Sequence, residues 1–217
     1  MPAISVIVPV YNHAQALASC LRSLAAQTYQ DFDVTVVDDG STPPLRGEFQ
    51  ISNLKSQIRF IRQAHAGAPA ARNRGARETD SEFILFCDAD VELRPYALER
   101  MVRALEDHPE ASYAYSAFRF GWKKFPSFPF AAERLRRMPY IHTTSLIRRA
   151  HLPGFDESLR RFQDWDLWLT MLERGHVGAH IPDVLFTVRS GGTMSRWFPS
   201  IALRLPWKSN RVRTYED

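Results

Sequence analysis

A run of five apolar residues that ends in two carboxylates constrains the fold of this chain more than any other feature. The run occupies residues 83–87, and Asp88 and Asp90 follow it with Ala89 between them. Five successive apolar side chains leave no polar face, so the run is predicted to be a strand buried on both sides, as in a parallel sheet covered by helices. Ligands of open α/β sheets bind at the carboxyl ends of the strands. The two acids are therefore predicted to lie in a binding site.

Asp88 and Asp90 offer oxygen ligands of the kind that Mg²⁺ or Mn²⁺ prefers, because such ions are held by one or two carboxylates together with substrate phosphates. The alternative is a pair of solvated acids in an exposed turn. The apolar strand before them favours the site over the turn.

Predicted strands and helices alternate through the first half of the chain. The strands cover residues 4–10, 32–37 and 58–61, and the helices cover residues 14–25, 67–77 and 95–107. Asn12 is predicted to cap the first helix, since its side chain suits that position. This alternation predicts an α/β fold, with a doubly wound, mostly parallel sheet flanked by helices.

Polar residues follow three of the predicted strands, of which the apolar run at residues 83–87 is the fourth. Tyr11 and Asn12 follow the first strand, Asp38 and Asp39 end the second, and the Asp88-Ala-Asp90 segment ends the fourth. The three loops are expected to open at one edge of the sheet and to share one ligand.

The second half of the chain is less regular. It is predicted to contain strands at residues 112–120, 143–147 and 184–188 and a helix at residues 163–174, with a turn at residues 153–156. Residues 122–139 combine prolines, aromatic residues and basic residues, which predicts a long, partly ordered loop or lid.

Composition limits the classes of function. A length of 217 residues predicts one domain with a full core, and the net charge of +4 favours anionic partners without choosing among them. Only this charge favours nucleic acid, so none is expected as a partner. A dehydrogenase is disfavoured because no Gly-x-Gly-x-x-Gly loop follows the first strand.

The first residues of the sequence and its two cysteines indicate where in the cell the protein is located. The first ten residues lack a basic segment and carry only a short apolar run, so no signal peptide is expected, and no run is long enough for a spanning helix. Cys20 and Cys87 lie in apolar contexts and are expected to be reduced thiols. These features predict a cytoplasmic protein.

Six motifs together resemble the family 2 glycosyltransferases, which have the GT-A fold. In order they are Val6-Ile-Val-Pro-Val-Tyr-Asn12, Val37-Asp-Asp-Gly-Ser-Thr42, Ala70-Ala-Arg-Asn-Arg-Gly75, Asp88-Ala-Asp90, Gly154-Phe-Asp-Glu157 and Gln163-Asp-Trp-Asp-Leu-Trp-Leu169. The resemblance covers residues 3–195. It implies inverting transfer of a sugar from a nucleotide diphosphate donor to an acceptor hydroxyl, assisted by Mg²⁺ or Mn²⁺. UDP is the usual donor nucleotide of such enzymes, while GDP and dTDP remain open.

The resemblance also implies roles for individual residues. It makes Asp164 the general base and Asp90 the direct metal ligand. The implied donor-binding residues are Pro9, Tyr11, Asn12, Asp39, Arg72 and Asp88. For Asp164 the alternative is a carboxylate that only interacts favourably with a helix dipole. Trp165 is expected to pack at the acceptor or the sugar, and Arg189 to contact the diphosphate.

Two departures from the family pattern support an alternative, a nucleotide-sugar-binding module without turnover. Gln163 stands where the family usually has Glu, and Ser190 stands where a metal-binding histidine is common. His176 and His180 have zinc-like spacing, but neighbouring glycines argue against a helix there, so neither is expected to be a ligand.

The domain is expected to divide into a nucleotide-binding half at residues 1–110, an acceptor and catalytic half at 111–195 and a basic, aromatic tail at 196–217. The acceptor is expected to be a saccharide or a lipid-linked saccharide. Residues 122–139 and 197–213 mix Trp and Phe with Lys and Arg, which suits peripheral contact with the inner membrane surface. The alternative is ordinary packing of the tail on the core.

Overall fold

The computed structural model describes residues 2–45 and 58–189. Within these residues the strands are β1 (Ile4–Val10), β2 (Phe32–Asp38), β3 (Ile58–Arg62), β4 (Phe83–Phe86), β5 (Val91–Leu93), β6 (Tyr113–Phe120), β7 (Lys123–Phe125), β8 (Leu146–Arg148) and β9 (Gly178–Val188). The α-helices are α1 (Ala14–Ala25), α2 (Ala68–Arg77), α3 (Ala97–Asp107), α4 (Ala132–Arg137) and α5 (Gln163–Glu173).

The strands form one sheet in the order β3-β2-β1-β4-β8-β6-β9-β5, with β7 paired to β6. The four strands from β3 to β4 run parallel, as does the pair of β6 and β9. Strands β8, β5 and β7 add antiparallel pairings. The predicted mixed α/β fold of GT-A type is confirmed.

Alternate side chains of the central strands enter different apolar clusters, as a sheet covered on both faces requires. Val6 and Val8 of β1 belong to the cluster that includes the apolar residues of α1 and α3. Ile7 belongs to the opposite cluster, which contains Trp165 and Trp168 of α5. Burial on both faces explains why the sequence of these strands is continuously apolar.

The order in which the chain adds strands to the sheet reverses between β1 and β4. The chain proceeds outward from β1 to β2 and β3 and then returns to β4 on the other side of β1. This reversal creates a topological switch point, the place where open α/β sheets bind ligands. The prediction that the loops after β1, β2 and β4 share one edge follows from this order.

The prediction that Asn12 caps α1 is wrong. His13 is the residue that precedes the helix, and no side chain caps its N-terminus. Asn12 has a φ of 53°, a left-handed conformation that Asn tolerates better than most residues. Its Oδ1 accepts the Thr42 backbone N–H at 2.8 Å, so it joins the loops after β1 and β2 instead.

Residues 122–139 contain β7 and α4, so they are more regular than the predicted loop or lid. The sequence also failed to indicate β5, which has three residues, and the first six residues of β9. The first six residues of β9 were missed because Pro182 and Asp183 interrupt its apolar pattern, and its register with β6 shifts near this point. No helix in the described ranges is long and apolar enough to cross a membrane.

Candidate functional site

The Asp88-Ala-Asp90 segment forms the turn between β4 and β5. The Val91 N–H donates to the Asp88 carbonyl at 2.9 Å and closes the turn. The Cys87 N–H donates to the Ile7 carbonyl, which extends the parallel ladder of β1 and β4 up to the first acid. The two carboxylates therefore emerge at the switch point of the sheet, where the sequence predicts a site.

Asp88 is held by a buried arginine. Arg72 Nη2 donates to both Asp88 carboxylate oxygens, at 2.7 and 3.0 Å. The Arg72 side chain is 4% exposed and that of Asp88 is 29% exposed. The ion pair thus fixes one carboxylate at the edge of the cleft, because a guanidinium group with two hydrogen bonds to one carboxylate has little freedom.

Arg72 also joins three elements of the fold. Its Nη1 donates to Gln163 Oε1 of α5 at 3.1 Å, so α2, the β4 turn and α5 meet at one guanidinium group. Gln163 Nε2 donates to the Leu159 carbonyl. Arg72 Nε is buried without a hydrogen-bond partner among the described residues. Gln163 therefore serves as a neutral anchor for Arg72 at the position where Glu is usual.

Asp90 is partly buried and lies close to the negative charge of Asp88. Burial, followed by the charge of Asp88, raises the pKa of Asp90 to about 6, while His13 and Arg72 oppose the shift. A site that disfavours a bare carboxylate in this way gains from a bound cation.

The described residues contain no group of three His, Cys, Asp or Glu side chains that could hold a metal ion. The acids at the turn still fit Mg²⁺ or Mn²⁺, because such ions commonly take only one or two carboxylates and complete their shell with phosphate oxygens and water. Asp90, with its raised pKa, is the group that fits direct ligation.

Asp39 is fully engaged by protein donors. Its carboxylate accepts the backbone N–H groups of Ala66 and Gly67, at 2.9 and 2.8 Å, and the side chain of Gln63 at 2.8 Å. His65 Nδ1 lies 2.9 Å from the same carboxylate, and Asp39 is 2% exposed. Asp39 thereby holds the loop between β3 and α2 against the end of β2.

The residues at the mouth of the loops lie together as the sequence predicts. Tyr11 stacks on His65, with ring centroids 4.0 Å apart and an angle of 24° between the rings. Tyr11 is 41% exposed, so one side of this aromatic pair faces solvent. The Asn12 N–H donates to Ser41 Oγ at 2.9 Å. Pro9 is buried within β1, one position before the end of the strand.

Asp38, the other acid at the end of β2, stabilises the turn that follows it. Its carboxylate accepts the Ser41 N–H at 2.8 Å and pairs with Arg62 at 3.0 Å. The resemblance assigns donor binding to Asp39 and not to Asp38, but the sequence did not indicate the partners of either acid within the protein.

Asp164 lies in the first turn of α5 and is half-buried. Its Oδ1 accepts the Trp165 N–H at 2.9 Å, which leaves the other oxygen directed away from that bond. The charges of Asp164 and Asp88 both act on the imidazole of His142. Asp164 directly follows Gln163, which accepts a hydrogen bond from the same Arg72 that holds Asp88, so the two carboxylates belong to one cluster around Arg72.

The expected place of Trp165 is wrong. Trp165 is fully buried, and its Nε1 donates to the Leu135 carbonyl of α4 at 2.6 Å. It packs α5 against α4 and lies in the core. The sequence could not distinguish the two roles, because a tryptophan in the first turn of a helix suits either.

Helix α2 also fixes the turn that precedes α5. Asn73 Nδ2 donates to the Phe155 carbonyl at 2.9 Å, and its Oδ1 accepts the Phe155 N–H at 2.8 Å. The Phe155 ring lies 5.1 Å from the Arg72 guanidinium group. The motifs at residues 70–75 and 154–157 therefore contact each other in the folded protein.

Arg189 lies beside the turn that carries Asp90, and its expected contact with the diphosphate stays a prediction. It pairs with Glu92 of β5 at 2.5 Å, while its backbone N–H donates to the Asp90 carbonyl at 2.9 Å. Ser190 and the tail at residues 196–217 lie outside the described residues. His176 and His180 hydrogen-bond to different serines, Ser112 and Ser127, and do not form a shared site.

His142 is the functional candidate that sequence reasoning missed. It precedes β8 by four residues and carries no motif, and only the antiparallel pairing of β8 with β4 brings its segment beside the Asp88-Ala-Asp90 turn.

The sequence and the fold of this chain are similar to those of known proteins. Residues 5–162 match the family model described as Glycosyl transferase family 2. The O-antigen biosynthesis protein RfbC of Myxococcus xanthus is 29% identical over 207 residues, which cover 89% of this chain and 16% of that protein. The chain spans between 16% and 39% of the length of RfbC and three other curated relatives.

Two solved structures share the fold. TarS 1-349 of S. aureus in complex with UDP-GlcNAc superimposes with a TM-score of 0.73 at 21% identity, covering 90% of this chain and 61% of that chain. The mannosyltransferase PcManGT from Pyrobaculum calidifontis, in complex with GDP-Man and Mn²⁺, gives a TM-score of 0.67 at 19% identity, covering 89% of this chain and 58% of that chain.

Proposed function

The chain belongs to glycosyl transferase family 2, and on that premise we propose that it transfers a sugar, with inversion, from a nucleotide diphosphate donor to an acceptor hydroxyl. The observation that carries this proposal is the arrangement of acids at the switch point. Asp88 is fixed by Arg72, Asp90 has a raised pKa, and Asp164 directly follows Gln163, which is bonded to the same Arg72.

The donor nucleotide is proposed to bind over the loops after β1 and β2. Pro9, Tyr11 and Asn12 form the mouth of this region, and Tyr11 offers the exposed face of its stacked pair with His65. Asp39 contributes by holding the loop after β3 in place, since its oxygens already accept several protein donors. UDP is the proposed nucleotide, in keeping with the UDP-GlcNAc bound to a protein of the same fold.

Asp90 is proposed to hold Mg²⁺ or Mn²⁺ together with oxygens of the diphosphate, and Asp88 to order the site beside it. The bound ion would offset the negative charge that builds on the diphosphate as it leaves. The pairing of Arg72 with Asp88 keeps that carboxylate at the edge of the cleft, where it can meet the ribose of the donor.

Asp164 is proposed to be the general base. Displacement with inversion needs a group that accepts the proton of the acceptor hydroxyl on the side of the sugar opposite the leaving diphosphate. Asp164 comes from α5 and Asp90 from the β4 turn, so the acceptor side and the leaving-group side belong to different elements.

The acceptor is proposed to be a saccharide or a lipid-linked saccharide, in keeping with the O-antigen biosynthesis named for one relative. Peripheral contact with the inner membrane surface is proposed for the β6–β7 hairpin, where Trp122 is 90% exposed beside Lys123 and Lys124. The second candidate function is a binding module without turnover, which the neutral Gln163 beside Arg72 favours.

Thermal unfolding with UDP, GDP, CDP and dTDP, each with Mn²⁺ or with EDTA, tests the donor site, because a ligand that binds only the folded state raises its stability. We expect one diphosphate to raise the Tm, and only with metal. Asp90→Asn should remove that metal dependence, whereas the control Asp107→Asn, on the exposed face of α3, should retain it.

Release of diphosphate from the matching nucleotide sugar separates the two functions. Turnover in the presence of a saccharide acceptor supports the transferase. Binding without any turnover supports the module, and a Tm that no diphosphate changes would contradict both.

A further inference from the structure

The imidazole of His142 lies where the two proposed halves of the reaction meet. The charges of Asp88, Asp164 and Arg72 all act on it, and burial holds its pKa below the usual value for histidine. Strand β8 pairs antiparallel with β4, with Leu146 opposite Leu85, so the segment before β8 that carries His142 runs beside the turn after β4 that carries Asp88 and Asp90.

The hydrogen bonds of His142 fix which nitrogen carries its proton. Nδ1 accepts the Thr144 backbone N–H at 3.0 Å, so the neutral ring must carry its proton on Nε2. The His142 carbonyl accepts the Ser145 hydroxyl at 2.8 Å, which holds the backbone of the same turn. Nε2–H is left as a donor without a partner among the described residues.

Two aromatic rings fix the plane of the imidazole. Its centroid lies 4.8 Å from that of Phe118 on β6 and 4.9 Å from that of Phe186 on β9. Phe186 is fully buried. A ring packed against two others, with Nδ1 bonded to the backbone, cannot turn to present a different nitrogen.

We propose that His142 binds the transferred sugar, donating a hydrogen bond from Nε2–H to one of its hydroxyl oxygens. This inference rests on the proposed function. A nitrogen that carries a proton has no lone pair for a metal or for an acceptor proton, so His142 is neither a metal ligand nor the base. A neutral donor beside two carboxylates suits an uncharged hydroxyl, which can in turn donate to a carboxylate.

Two substitutions test the roles of the two ring nitrogens separately. His142→Asn keeps an acceptor near the Nδ1 position, where it can still bind the Thr144 N–H, but it lacks a donor at the Nε2 position. His142→Gln places an amide N–H near the Nε2 position. The control is His176→Asn, which changes a histidine that is bonded to Ser112, away from the cleft.

The measurement is the Kd of each variant for a nucleotide sugar and for its parent diphosphate, both with Mn²⁺. The pair is the one that raises the Tm of the wild-type protein most, taken from UDP-GlcNAc, UDP-glucose, GDP-mannose and dTDP-glucose with their diphosphates. We expect His142→Asn to weaken the nucleotide sugar about tenfold, the effect of one hydrogen bond, and to leave the diphosphate unchanged. His142→Gln should recover most of the loss, and His176→Asn should match wild type.

The outcomes distinguish this inference from the function on which it rests. Equal losses for the nucleotide sugar and the diphosphate, equal losses in the Asn and Gln variants, or no loss in either would overturn the role of Nε2–H while the proposed function stands. A wild-type protein that binds none of the four nucleotide sugars would overturn both. The Tm of each unliganded variant shows whether it is folded.

Discussion

The acids at the edge of the sheet differ because their surroundings differ. Asp88 and Asp39 have protein donors, whereas Asp90 is half-buried beside another carboxylate, and burial with that charge raises its pKa to about 6. At the scale of the residue, the same side chain therefore acts as a structural anchor at one position, whereas at another it has the raised pKa that suits the proposed metal ligand. Substitutions of Asp90, Asp164 and Arg72 test the roles of individual residues in the site.

Asp90→Asn should stabilise the metal-free protein at pH 8 and not at pH 4. The folded pKa of Asp90 is raised from 3.8, so this residue favours folding at low pH and loses that contribution as the pH rises through about 6. Asn does not titrate, so the variant should gain about 1–2 kcal/mol at pH 8 after allowance for solvent screening. Urea unfolding in EDTA at both pH values measures this, with Asp107→Asn as the unchanged control.

Asp164→Asn should lower the rate of transfer about 10²–10⁴-fold, the usual contribution of a general base. Donor binding should remain, because Asp164 contacts its own helix backbone and is not part of the Arg72 and Asp88 pair. Parallel measurement of turnover and of the diphosphate-dependent Tm tests both statements. Full turnover in the variant would remove Asp164 from its proposed role.

Arg72→Lys should lower both stability and donor affinity. Lysine cannot reproduce the three hydrogen bonds that Arg72 donates to Asp88 and Gln163, because its ammonium group lacks the planar fork. A loss of about 2 kcal/mol or more in unfolding free energy is expected, since bonds to charged groups contribute strongly. Arg74→Lys is the matched control, as Arg74 is partly exposed and, among the described residues, pairs with Glu78 alone. A stable variant would mean that the buried pair contributes little.

At the scale of the element, α2 is the part that assembles the site. Arg72 and Asn73 come from consecutive positions of this helix and reach the β4 turn, α5 and the turn at Phe155. The helix can do this only because it approaches β1 closely. A Cβ on Gly75 would lie 2.4 Å from Ile7 Cγ2, closer than real contacts allow.

Gly75→Ala should therefore destabilise the protein, although alanine favours a helix by about 1 kcal/mol over glycine. Ile7 is branched and fully buried within β1, so it cannot move aside cheaply, and overpacking of this kind costs about 1–3 kcal/mol beyond that gain. Chemical unfolding measures the difference, and Arg77→Ala on the exposed side of the same helix should change stability by no more than about 0.5 kcal/mol. A more stable Gly75→Ala protein would contradict the close approach.

At the scale of the whole molecule, the β6–β7 hairpin projects an aromatic residue and two cations from the sheet. Trp122 is 90% exposed at the turn, and Lys123 and Lys124 are exposed beside it. Aromatic and basic residues of this kind favour the surface of an anionic membrane.

The full chain should sediment with vesicles that contain anionic phosphatidylglycerol and less with neutral phosphatidylcholine vesicles. Each lysine near an anionic surface contributes about 1 kcal/mol. The variant with Trp122→Ala, Lys123→Ala and Lys124→Ala should bind several-fold more weakly, whereas Arg103→Ala, on the exposed face of α3, serves as a charge control. Binding that does not depend on anionic lipid, or that the hairpin variant retains, would contradict electrostatic docking through this hairpin.

The sequence by itself determined the α/β class, the central strands and the carboxylates at their ends. It could do so because a strand buried on both faces must be continuously apolar, as residues 83–87 are, and because parallel strands bring their carboxyl ends to one edge. The ordered motifs added the family, which the match over residues 5–162 confirms.

Only the tertiary structure decided what each polar side chain does there. Asp38 and Asp39 are neighbours in sequence but have different partners, Trp165 turns into the core beside Asp164, and His142 enters the cleft without any motif. Strand β5 and most of β9 were likewise invisible in the sequence, because short or interrupted segments become strands only through their partners. Contacts between residues distant in sequence set burial, hydrogen bonding and pKa, and these properties distinguish an anchor from a ligand-binding group.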